Sequence, residues 1–178
     1  MTTNKILVAL DRSSQALVVF EQALDIAQKQ GSELILFHSI HSQLEGEAIQ
    51  YVGTIADVDM YGTLHKLYRD RLQKEIDSVQ SWLQEYVQKA NARMIPVEVI
   101  HEFGEPGKKI CNLAKSWGAD LIVIGRRGHK GISEVLLGSV SNYVLHHAPC
   151  SVLVIQGQHT ANTGMRVEEA MSTTHTTQ

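Results

Sequence analysis

A chain of 178 residues can bury the core of one domain, and 43% apolar with 20% charged residues is the balance of an ordinary globular protein. The formal charge of −3 gives no electrostatic reason to expect nucleic acid as a partner; Lys and Arg are dispersed, apart from Arg126, Arg127 and Lys130. No apolar run reaches the ~18 residues of a membrane-crossing helix, and Cys111 and Cys150 lack CxxC spacing, so each reads as a buried free thiol.

The opening segment MTTNKILVALD has an apolar run too short for a signal-peptide core and no small-residue cleavage site, which predicts a cytoplasmic protein. Its run Ile6–Leu10 (ILVAL) predicts a first strand. Asp11 follows, in VALDRSS. It reads either as a turn or helix-capping aspartate, or as a carboxylate placed for a ribose hydroxyl or Mg²⁺; on its own the first reading is preferred. From Ser13 to Gln30, Ala16, Phe20, Ala23, Leu24 and Ala27 form a helical stripe that Gly31 would stop. Glu33–Ile40 (ELILFHSI) predicts the second strand.

The connection from His41 to His65 mixes Gly46, Gly53 and Gly62 with polar residues, and its length suggests a lid-like or interface element. A long helix is expected from Lys66 to Ala92, with Leu72, Ile76, Val79, Leu83, Tyr86 and Ala90 on one face. Val97–Phe103 (VEVIHEF) alternates apolar and polar residues, as a strand at a sheet edge would. Pro106 opens a helix that runs to Trp117 before Gly118. Leu121–Ile124 is the fourth strand, Ser141–His147 a helix stopped by Pro149, and Ser151–Ile155 the fifth strand. The Thr-rich tail, 157–178, is expected to be disordered.

Strands alternating with helices indicate a single α/β domain: an open parallel five-stranded sheet with helices on both faces. Such sheets bind ligands beyond the carboxyl ends of their strands, where the strand order reverses. Directly after the fourth strand stand Gly125-Arg-Arg-Gly128 and, ten residues on, Gly138-Ser139. Glycine admits a ligand close to the backbone, and a helix opening at Gly138-Ser139 would aim its unpaired N–H groups at an anion. The plainer reading is a glycine-bearing loop with a Ser helix cap; the two halves together favour phosphate binding. A G-x-G-x-x-G, a G-x-x-x-x-G-K-[ST] and a G-x-S-x-G are all absent. The nine histidines show no H-E-x-x-H or other ligand spacing; His38 falls inside a strand, and His129 alone lies near the proposed site.

Asp11 after strand one and Gly125-x2-Gly128-x9-Gly138-Ser139 after strand four resemble the universal stress protein family over residues 4 to 156. The resemblance implies a Rossmann-like fold of the adenine nucleotide alpha-hydrolase type, strand order 3-2-1-4-5, and binding of ATP, ADP or AMP. In that likeness Asp11 faces ribose and a Mg²⁺ ion, Ala9 lies at the adenine side, and the Ser39 backbone recognises the adenine edge. Gly125 and Gly128 would cradle ribose and phosphates, with Ile124 and Arg127 beside them, and Gly138, Ser139, Val140 and Ser141 would hold the outer phosphates. It further implies a homodimer through the strand 150–155, and a sensor or regulator with at most slow ATP hydrolysis. No catalytic base or P-loop lysine is evident. Two alternatives stand beside it: a partner-binding module with a structural nucleotide, and a nucleotidyl-transferring enzyme of the same fold, which would want an S-G-G-x-D-S loop that VALDRSS does not supply.

Overall fold

The computed structural model of the chain describes residues 4–40, 58–126 and 137–156, with 58–64 as helix backbone only. The 41–57 connection, the 127–136 stretch with Arg127, Gly128 and His129, and the 157–178 tail lie outside the described residues. The elements in order are β1 (Lys5–Ala9), α1 (Ala16–Gln30), β2 (Glu33–Ile40), α2 (Val58–Ala92), β3 (Val97–Phe103), α3 (Pro106–Trp117), β4 (Leu121–Gly125), α4 (Ser139–His147) and β5 (Ser151–Ile155).

All five strands run parallel in the order β3-β2-β1-β4-β5, the order expected. Continuous apolar runs are explained by the two covered faces. Ile6, Val8 and Leu10 point to the side carrying α1 and α2, where Phe20, Leu24, Val79 and Leu83 meet them. Leu7 and Ala9, one residue out of phase, point to the side carrying α3 and α4, against Ile110, Ala114 and Val144. Period-two alternation thus feeds two separate cores from one strand. The alternating segment VEVIHEF does take a sheet edge, as β3.

Helix ends follow local chemistry. Gly31 and Gly118 cap α1 and α3 in the left-handed conformation at φ 68° and 73°, where a Cβ would be strained. Two boundaries differ from the sequence reading. The first helix begins at Ala16 rather than Ser13, because Asp11 and Ser13 hold the chain in a side-chain-bonded turn. The long helix begins at Val58 rather than Lys66, so the last eight residues of the supposed 41–65 connection are helical. Gly62, counted there as a loop signal, sits inside the helix; the ~1 kcal/mol it costs is small beside the packing of a 35-residue element.

The position of α4 depends on its contact with α3. A Cβ on Gly107 would stand 2.7 Å from Tyr143 Cδ1 and 3.1 Å from its Cβ, so the absence of a side chain on α3 lets the Tyr143 stem pack close. Gly107→Ala is expected to destabilise the protein by about 1–3 kcal/mol through overpacking. A lowered midpoint in urea denaturation checks this, and an unchanged midpoint contradicts it.

Candidate functional site

Neighbouring strands β1 and β4 send their following helices to opposite faces, α1 with the first core and α4 with the second. Between them, over the carboxyl ends of β1 and β4, opens a cavity of about 430 Å³. Ala9, Phe37, Ile110 and Ile124 give it an apolar wall. Asp11, Ser13, Ser39 and Ser139 bring polar groups, and Gly125, Gly138, Val140 and Ser141 also line it. The volume and mixed lining are those of a small-molecule site, ~300–1,000 Å³. Every expected site residue that is described therefore lies on this one cavity; Arg127 and Gly128 are outside the described residues.

Asp11 is the only carboxylate among the described lining residues. Its Oδ1 accepts from the Ser13 N–H at 3.1 Å and the Ser13 hydroxyl at 2.5 Å, so the turn fixes the side chain before any ligand arrives. Asp11 builds a turn, as the plainer sequence reading has it, and it also lines the cavity. Among the described residues no group of three or more His, Cys, Asp or Glu could hold a metal ion.

The phosphate-like half of the motif is built around one carbonyl. The Arg126 carbonyl accepts from the Gly138 N–H at 2.8 Å, and the Ser141 hydroxyl lies 2.9 Å from it and 3.0 Å from the Gly138 carbonyl. These bonds stitch the end of β4 to the start of α4 and tie together the two ends of the glycine motif. Ser141, only 2% exposed, bolts the backbone together through its hydroxyl. Gly138, not Ser139, is the helix cap residue, and the helical ladder starts with Asn142 N–H to the Gly138 carbonyl at 2.9 Å. The N–H groups of Ser139, Val140 and Ser141 precede that first bond, at the positive end of the helix dipole.

At the opposite wall the Ser39 hydroxyl donates to the Gly104 carbonyl at 2.7 Å, joining the ends of β2 and β3. One residue earlier, His38 points to the α2 side of the sheet, where His101 of β3 stands level with it. His38 Nδ1 is 2.8 Å from the Leu10 carbonyl. A carbonyl only accepts, so Nδ1 carries the proton and the neutral ring leaves Nε2 bare. The ring meets Trp82 of α2 edge-on at 5.2 Å, with the Arg12 guanidinium 5.8 Å from the same indole. Sequence reading set His38 aside as a strand residue. Its spacing carried no signal; its partner lies 28 positions away.

The architecture and cavity define a doubly wound, Rossmann-like α/β domain with its open site at the switch point. The chain belongs to the universal stress protein family, whose family model matches residues 2–156. It is 40% identical to the Synechocystis universal stress protein Sll1388 over 156 residues, which are 88% of this chain and 99% of that one. Among solved structures, hypothetical protein MJ0577 superposes with a TM-score of 0.73 at 21% identity, over 90% of this chain and all of the other. An Arabidopsis thaliana family protein with AMP bound gives 0.60 at 20% identity over 88% and 93% of the chains. The Archaeoglobus fulgidus universal stress protein in complex with dAMP gives 0.57 at 22% over 87% and 99%. Among the described residues no helix is long and apolar enough to cross a membrane.

Burial lowers the pKa of His38 below 6.5, reinforced by the Arg12 charge and opposed by the Leu10 carbonyl, Asp11 and Glu75. In the unfolded chain the ring takes up a proton near pH 6.5, whereas the folded protein resists protonation to lower pH. Below that value the unfolded state therefore binds more protons, and stability falls as the pH drops. Denaturant midpoints from about pH 7 to about pH 5.5 should fall more steeply for wild type than for His38→Asn, which cannot titrate. Parallel curves would contradict the assignment.

Proposed function

We propose that the cavity binds an adenine nucleotide, and that the protein acts in the cytoplasm as a nucleotide-dependent stress-response sensor or regulator. The observation that carries this reading is the pairing of an apolar slot with a helix N-terminus across one cavity. Ala9, Phe37, Ile110 and Ile124 suit a purine ring, while the N–H groups of Ser139 and Val140 suit a phosphate. The family complexes with AMP and dAMP support the same chemistry.

In this reading Asp11, which lines the same cavity, would meet a ribose hydroxyl. Its Oδ1 serves the turn, so its remaining oxygen is the one offered to ligand. A single carboxylate fits Mg²⁺ only as an ion carried by nucleotide phosphates, the usual mode for this cation. In that mode Asp11 would steady a metal–triphosphate of ATP, and AMP or ADP would bind with Asp11 on the ribose and no metal ion. Gly125 and Gly128, with Ile124 and Arg127 beside them, would flank the ribose and first phosphate. The hydroxyl of Ser139 would add a donor, whereas that of Ser141 keeps its backbone bonds.

Among the described lining residues no second carboxylate or lysine is present to activate water or to stabilise a transferring phosphoryl group. The assignment is therefore binding and signalling, with ATP hydrolysis slow at most. A homodimer is the expected assembly, because β5 is an edge strand whose outer hydrogen-bonding groups a second copy of Cys150–Ile155 would cover.

Gly138 adopts φ −63° and ψ 157°, a conformation open to valine, so Gly138→Val should fold. Its side chain would crowd the anion position, and AMP and ATP affinity should fall at least ~100-fold, as expected when a steric block replaces helix N–H contacts. Equilibrium binding of labelled ATP to the folded variant checks this. Affinity equal to wild type would remove the site assignment.

A further inference from the structure

Resting on the nucleotide reading above, we propose that His38 is a positioning residue, which sets the orientation of Asp11 through the carbonyl of Leu10. The Leu10 carbonyl and the Asp11 N–H belong to one rigid amide, so fixing the direction of that carbonyl fixes where the Asp11 Cα must lie. Strand β1 ends at Ala9, and the Leu10 N–H still donates to Phe37 at 2.9 Å. Beyond that bond the chain leaves the sheet, and the carbonyl is held by the His38 side chain at 2.8 Å.

The ring is braced in turn by α2. Trp82 and the His38 ring pack in a T-shape at 5.2 Å and 74°, and Arg12 bonds Ser78 at 2.9 Å while lying over the indole. At the far end the Asp11 carboxylate is locked by Ser13. Main chain and side chain of Asp11 are thus fixed by independent bonds, one of them reaching back to a helix that does not line the cavity. His38 itself borders the cavity, but its Nδ1 is committed to the Leu10 carbonyl, and its effect on the ligand is assigned to Asp11.

The imidazole Nδ1 position can be reproduced by an asparagine amide, and leucine removes it. The test measures AMP affinity by calorimetry on the full chain for wild type, His38→Asn, His38→Leu, Asp11→Ala and the His38→Leu/Asp11→Ala double variant. His38→Leu should weaken AMP about five- to tenfold, the scale of one lost hydrogen bond, and His38→Asn should stay within about twofold of wild type. On the Asp11→Ala background the leucine change should cost nothing further, because its effect passes through the residue already removed.

Wild-type affinity in His38→Leu, or full additivity in the double variant, overturns the proposal. Should His38→Leu not fold, His38→Gln, whose amide lies one bond further out, takes its place. If wild type itself binds neither AMP nor ATP, the nucleotide reading fails, and the positioning claim is read without ligand. Amide exchange at Ser13 should then accelerate in His38→Leu and stay slow in His38→Asn; unchanged protection in His38→Leu overturns it.

Discussion

Strands β1 and β4 lie side by side, yet the helices that follow them pack on opposite faces of the sheet. No right-handed crossover can cover both carboxyl ends at once, so a gap is left there whatever the side chains are. The rest of the molecule is arranged around that gap. The cores on either face hold the two helix starts apart, with Asp11 after β1 and Gly138 before α4 bordering the opening. A cavity lined by Asp11 on one lip and Gly138-Ser139 on the other is the direct consequence.

Polar groups in this gap divide into two kinds, and the first are hydroxyls. Those of Ser13, Ser39 and Ser141 are committed to protein acceptors: the Asp11 carboxylate, the Gly104 carbonyl and the Arg126 and Gly138 carbonyls. They shape the walls. The first-turn N–H groups of α4 and the outer oxygen of Asp11 are the groups a ligand would meet. Preorganisation of this sort lowers the ordering cost of binding, because Asp11 and the start of α4 are hydrogen-bonded before any ligand arrives.

Much of the fold was legible because its signals are local. Gly31 and Gly118 stop helices by their own backbone freedom, Pro106 opens one, and the alternation in VEVIHEF marks an edge. The glycine motif could be read as two halves of a site once the rule for parallel sheets placed both beyond β4. What stayed hidden depends on distant partners. Ser141 reads as one more phosphate hydroxyl until the Arg126 carbonyl is seen 15 positions away, and His38 reads as a strand residue until Leu10 and Trp82 enclose it. The start of α2 was misplaced for a different reason. Gly62 is a local breaker, but a long helix tolerates one glycine when packing elsewhere fixes its register.

A crystal structure of the chain with AMP tests the central claim most directly. The account predicts the purine against Ala9, Phe37 and Ile124, the ribose beside Asp11, and the phosphate on the N–H groups of Ser139 and Val140, with the Ser141 hydroxyl still on its backbone carbonyls. A nucleotide lodged elsewhere on the surface, or a phosphate held by the Ser141 hydroxyl after its bonds to Arg126 and Gly138 had broken, would contradict it.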